Sequence, residues 1–373
     1  MRKFFSIIFA VFIVIMTGFS ASAGTYDDFL KDNNADEVID SLPDEAKKSL
    51  NDLGINGFDI SALKKLSPEK IFSQIIDTVG KESKAPLKAF AGVTVVLLLY
   101  SILYGLRNTF ETSLQPVLAV VTTICVSCAL VIPISGFIIE AVDLIKTSSD
   151  FMISYIPLMV LVMSVSGQPL SAAGYYGLMM FSGQAVNRLS SELIAPFMNI
   201  FLAVSVSSAV SPNISLGGIV RFISKFTKIA LGFIMSIFTG VLSFKQVISA
   251  GADSLSSRAV RFSLTSFVPV VGSALSEAYR TVQGSVGVLK SGVGVIAVIA
   301  AFAMFLPIIL QCVFWMLALL LSKSIGEILC LKEPCMLLEA VYTVVSTLLA
   351  VVLCLLAVFI ISTAVIMLTG GFG

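Results

Sequence analysis

The stretches VGVIAVIAAFAMFLPIIL (Val293–Leu310) and VFWMLALLLSKSIGEIL (Val313–Leu329) decide the fold class. Each approaches the roughly 20 mostly apolar residues that an α-helix needs to cross a bilayer. Further runs occupy Leu87–Leu106, Leu114–Ile139, Phe151–Val165, Leu170–Val186, Leu193–Val210, Ile229–Phe244 and Val341–Leu368. A soluble protein of 373 residues has no interior large enough to hide them all. Composition agrees: 57% of residues are hydrophobic and only 13% charged, the latter about half the share in an ordinary soluble domain. The chain reads as all-α, a polytopic helical membrane protein with about 7–9 membrane-embedded helices and a small exported N-terminal helical segment. Phe151–Val165 and Ile229–Phe244 are short enough for re-entrant segments. The last run is longer than a bilayer needs and should tilt or project.

Outward from these runs, the N-terminus reads as an export signal. Arg2 and Lys3 precede an apolar stretch from Phe4 to Met16, and Ala21-Ser22-Ala23 is a small-residue cleavage site, so residues 1–23 form a signal peptide. Residues 24–84 then form an exported acidic helical segment, with 13 acids against eight bases, a net charge of −5. Pro43 to Leu53 predicts one short helix with Gly54 as its stop. Ser67-Pro68-Glu69 predicts a second, capped by Ser67 and stopped by Gly80. Residues 85–373 form the multi-span membrane domain.

With the head exported, Arg107 falls in the cytoplasm and the acidic stretch from Glu140 to Asp150 reads as an outer loop. The segment after Ser211 falls inside. There Arg221, Lys225 and Lys228 share one helical face, which reads as an in-plane helix whose bases touch lipid headgroups. The alternative is an ordinary solvated helix entry. Ser154-Tyr155-Ile156-Pro157-Leu158 echoes Ser266-Phe267-Val268-Pro269-Val270, and duplicated halves are common in transporters.

Residues 245–292 are too polar for a plain span and too apolar for an ordinary loop. Pro269 breaks the chain there. From Val270 onward the period is helical, with Val271, Leu275, Tyr279, Val282, Val286, Leu289 and Val293 on one face. Ser273, Ser276, Glu277, Arg280, Gly284, Gly287 and Ser291 lie on the other. A face that is polar and then small lines water, or lets another helix approach closely. Glu277 and Arg280, three apart, are placed to pair across one turn. Pro269 with that second face forms the candidate pathway-lining or gating set. The competing reading is an interfacial helix or a helix–helix contact.

Several chemistries find no support. The chain has no histidine, the commonest general base and zinc ligand. No phosphate-binding Gly-rich loop, nucleophile elbow or HExxH motif occurs, so the chain reads as a non-enzyme without cofactor or metal. No stripe of bases interleaved with aromatics points to nucleic acid. Cys125-Val-Ser-Cys128 has redox spacing but lies in an apolar run, where small buried residues are the simpler reading. Cys330 and Cys335 flank a short turn that a disulfide could close.

The signal peptide, the acidic head, SYIPLM at 154–159 and above all SFVPVVGSALSEAYRTVQGSVGVLKSGVGVIAV at 266–298 resemble the stage III sporulation protein AE family of endospore-forming bacteria. The resemblance follows the order of elements along the whole chain. It implies residence in the mother-cell membrane around the forespore, as a multi-pass protein with its N-terminal segment outside the cytoplasm. It implies membership of a channel or secretion-like complex needed for forespore development. The implied partners are other membrane and ring-forming proteins, including a partner ATPase, together with membrane lipids. No catalytic residue is carried over. A membrane scaffold that does not itself conduct, or a free-standing secondary transporter, are the alternatives.

Overall fold

The computed structural model describes residues 35–55, 57–58, 60–63, 67–105, 115–189, 192, 194–210, 217–267 and 272–368. The expected signal peptide and Pro269 lie outside these residues. Among the described residues every regular element is helical, as expected. Four helices form the head: α1 (Ala35–Asp40), α2 (Asp44–Asp52), α3 (Ile60–Leu63) and α4 (Pro68–Glu82). Seven form the body: α5 (Lys84–Gly105), α6 (Gln115–Val165), α7 (Pro169–Leu189), α8 (Ala195–Val210), α9 (Gly217–Phe267), α10 (Gly272–Ile328) and α11 (Lys332–Leu368).

The head has its own small core of Val38, Leu42, Ala46, Leu50, Ile55 and Phe58. Helix α2 ends as its sequence predicts. Gly54 takes φ +82°, its N–H bonds the Asn51 carbonyl at 2.8 Å, and the Ile55 N–H bonds the Leu50 carbonyl at 2.9 Å. That pattern closes the last helical turn and favours glycine. Helix α4 departs from expectation in two ways. The Ser67 side chain makes no capping bond, and Gly80 does not stop the helix, which runs to Glu82. The break falls at Ser83 instead, because Pro86 cannot bond the Glu82 carbonyl. The head packs on α6 and α10, leaving a cleft of about 190 Å³ between Pro43 to Ala46, Glu140 to Thr147 and Ala303 to Ile308.

In the body, segments expected to be separate are joined. Leu114–Ile139 and Phe151–Val165 lie on the single 51-residue helix α6, and the acidic stretch between them is helical rather than a loop. The physical reason is its period: Ala141, Val142 and Ile145 turn inward while Asp143 and Asp150 face out. Likewise α10 joins the predicted pathway helix to both Val293–Leu310 and Val313–Leu329 in 57 residues. Pro133, Pro157 and Pro307 sit inside these helices, each removing one backbone bond without ending the element. Among the described residues five helices are long and apolar enough to cross a membrane: Pro68–Ile102, Val120–Val165, Gly218–Ser263, Val286–Ile328 and Pro334–Met367.

Helix α11 is central. Val341, Val344, Val345, Leu348 and Val352 are all fully buried at helical spacing. It packs most extensively on α10, and also on α9 and α8. By contrast α9 exposes Phe222, Phe226, Phe233, Ile237, Phe244 and Val247 along its outer face. A face of that kind is turned to lipid or to another protein. Cys125 and Cys128 are exposed on α6, not buried in the protein as expected, and all six cysteines are free.

Candidate functional site

The predicted pathway segment is the first five turns of α10. Ser276 is half-buried and Glu277 exposed. Gly284 is exposed and Gly287 half-buried, and a Cβ added at either would meet nothing within 4 Å. Ser291 donates to the Gly287 carbonyl at 3.2 Å. These residues share an outward face, and among the described residues no helix approaches the two glycines closely on that side. The opposite face supplies Val286, Leu289 and Val293 to the core. Ser273 and Arg280 lie on the same helix, with side chains outside the described set, and Pro269 is outside it altogether.

The residues that join this segment to the body are ones the sequence reading passed over. Helices α6 and α7 form a hairpin whose tip is Ser166-Gly167-Gln168. Gly167 takes φ +81°. Its N–H bonds the Ser164 carbonyl at 3.1 Å, and the Gln168 N–H bonds the Met163 carbonyl at 3.1 Å. A Cβ at Gly167 would meet the Gln283 side-chain amide of α10, whose flexible end would have to shift, and the backbone angle favours glycine. Helix α7 starts at Pro169, whose missing N–H costs nothing at the first position.

The next two N–H groups have no partner within the helix. Both are taken by Asp253, which comes from the middle of α9: Leu170 N–H donates to one carboxylate oxygen at 3.0 Å and Ser171 N–H to the other at 2.8 Å. Asp253 is only 3% exposed. A carboxylate at a helix N-terminus is favoured by the helix dipole, and the cost of burying its charge offsets much of that gain. On the other side of the tip, Lys290 of α10 is also 3% exposed. Its ammonium donates to the Gln168 side-chain oxygen at 3.1 Å. Gln283 donates to the Ser257 hydroxyl at 3.2 Å, tying α10 to α9 beside the tip. The Ser171 hydroxyl is buried here without a hydrogen-bond partner among the described residues.

The basic residues Arg221, Lys225 and Lys228 lie in the first turns of α9, not on a separate in-plane helix. Arg221 and Lys225 are exposed. Ser224 pairs with Thr347 at 2.7 Å and Lys228 donates to Ser346 at 2.9 Å, so this end of α9 is docked on α11. Among the described residues no group of His, Cys, Asp or Glu is arranged to hold a metal ion.

Sequence comparison places this arrangement. The stage III sporulation protein AE of Bacillus subtilis (strain 168) is 25% identical over 269 residues, which is 70% of this chain and 65% of that protein. The match thus spans less than two thirds of the length of that relative. No solved structure matches the chain. The family described as stage III sporulation protein AE matches residues 59–370, a range holding the hairpin, the clamp residues and the open face of α10, and the chain belongs to that family.

Proposed function

We propose that this protein is a membrane subunit of a channel or secretion-like complex between mother cell and forespore, with residues 24–84 outside the cytoplasm. The observation that carries the reading is the outward face of α10, where Glu277 and Gly284 are exposed beside the half-buried Ser276, Gly287 and Ser291, and where a Cβ at either glycine meets nothing within 4 Å among the described residues, although the opposite face is core. A polar and small face left open on a rigid helix suits a water-lined path completed by partners. Ser273, Arg280 and Pro269 belong to the same path. Ring-forming proteins and an ATPase of the same sporulation assembly are the proposed partners, and Arg221, Lys225 and Lys228 are the proposed headgroup contacts. The long exposed apolar face of α9 favours a second reading, in which the chain is chiefly a scaffold for other membrane proteins.

The test uses bulk on the open face. Gly284→Leu and Gly287→Leu should each cost less than about 1 kcal/mol of stability, since a Cβ at either position meets nothing within 4 Å among the described residues. Protein level and membrane insertion should stay normal while late forespore gene expression is abolished. Leu317→Phe, on an outward apolar position of the same helix, should be silent. Loss of expression with partners still co-purifying supports a path. Loss of co-purification supports the scaffold. Wild-type behaviour of both glycine variants removes the assignment of this face.

A further inference from the structure

We propose that the α6–α7 hairpin is a movable gate beside the open face of α10, held in place at its tip by Asp253 of α9 and Lys290 of α10. The proposal rests on the channel reading and names its regulation. Three features of the tip support it. The tip is held by side chains from two other helices, Asp253 on two backbone N–H groups and Lys290 on the Gln168 amide. Buried charged contacts of this kind fix one position more than they add net stability, because desolvation offsets most of the attraction. A contact that specifies a position without dominating stability suits a latch.

The clamped state also carries a cost. The Ser171 hydroxyl is fully buried with no hydrogen-bond partner among the described residues, and such a group regains one when the tip meets water. The same residue supplies one of the N–H groups that Asp253 holds, so a single local displacement relieves the hydroxyl and frees the carboxylate together. Finally, the hairpin is one unit with a place to bend. Ser149 of α6 donates to the Gly183 carbonyl of α7 at 2.6 Å, tying the two arms together. Pro157 lies between that tie and the tip, where the helix has lost one backbone bond. Pro169 and Leu170 are exposed while Ser166 and Ser171 on either side are buried, so the tip lies at the edge of the bundle. Gln283, on which Gly167 rests, sits next in sequence to Gly284 of the open face. Movement of the tip therefore alters the wall of the proposed path.

The experiment uses the full chain with its six cysteines replaced, in native membranes. A reporter, Ser166→Cys, sits in the tip at a position 7% exposed, and a control, Ser362→Cys, sits in α11 at 1% exposed. With a membrane-impermeant maleimide, Asp253→Asn and Lys290→Met should each speed labelling at the tip by about tenfold or more, the equilibrium shift of a single lost hydrogen bond, and leave the control unchanged. No change at the tip, or equal acceleration at both positions, overturns the latch. A second arm tests movement itself. A Cβ at Gly174 would lie 3.4 Å from the Ser249 hydroxyl oxygen, so Gly174→Cys with Ser249→Cys is within disulfide reach. Oxidation in sporulating cells should staple α7 to α9 and stop late forespore gene expression, and reduction should restore it. Full expression with the staple formed overturns the gate while leaving the channel reading intact.

Discussion

Gly167 and Asp253 carry the most structural consequence per residue. Gly167→Ala places a side chain at φ +81° and against the Gln283 amide. It should cost about 1–3 kcal/mol, read as a lowered thermal midpoint of the detergent-solubilised protein. Gly177→Ala, where nothing lies within 4 Å, should be neutral or slightly stabilising. One half of this site was legible. Ser166-Gly167-Gln168-Pro169 has the chemistry of a helix stop followed by a helix start, and the two apolar runs flanking it were visible. The other half was not, because Asp253 stands 82 residues from the N–H group of Ser171 that it holds. A lone acid in a polar break reads as solvated, and a single sequence shows no sign that a distant helix start needs it. Lys290 was hidden for a related reason. It falls at the junction of the amphipathic and apolar parts of α10, where snorkelling to an interface is the expectation, whereas it is buried against Gln168.

At the scale of elements, helix existence was readable and helix continuity was not. Charge at Glu140, Asp143, Lys146 and Asp150 looks like a loop when judged by polarity alone. Judged by period it is one face of a helix, with Ile145 fully buried on the other. The distinction is measurable. Asp143→Pro would be tolerated in a loop but should cost about 3 kcal/mol or more in the interior of α6, seen as loss of membrane-inserted protein. Asp143→Ala should be nearly neutral, since the ion pair to Lys146 at 3.6 Å is solvent-exposed and such pairs contribute about 0–1 kcal/mol. The prediction that Gly80 ends α4 failed on the same ground. Glycine inside a helix costs only about 1 kcal/mol against alanine, whereas Pro86 removes a bond outright. Of the two faces expected on α10, Leu289 and Val293 pack in the core while Glu277 and Gly284 face out.

At the scale of the molecule, the length of the helices governs the interpretation. The apolar part of α9 that meets spanning criteria, Gly218–Ser263, has 46 residues, about 69 Å at 1.5 Å per residue, against a hydrocarbon core of about 30 Å. Lipid cannot cover its exposed face from end to end, which fits a protein built to work inside a larger assembly. Orientation is testable in the cysteine-free chain. An impermeant thiol reagent on intact cells should label Asp44→Cys in α2, and should label Lys225→Cys in α9 only after permeabilisation; both positions are exposed. The reverse pattern would invert the topology. At this scale the core centres on α10 and α11, and among the described residues nothing covers Gly284 and Gly287 on the polar, small face of α10. The most direct measurement of its role is a structure of the assembled sporulation complex purified with its partners. A water-filled path running along Ser276, Gly284, Gly287 and Ser291 is the predicted result. Lipid against that face, or a partner helix packed onto the two glycines with no water between, would contradict it.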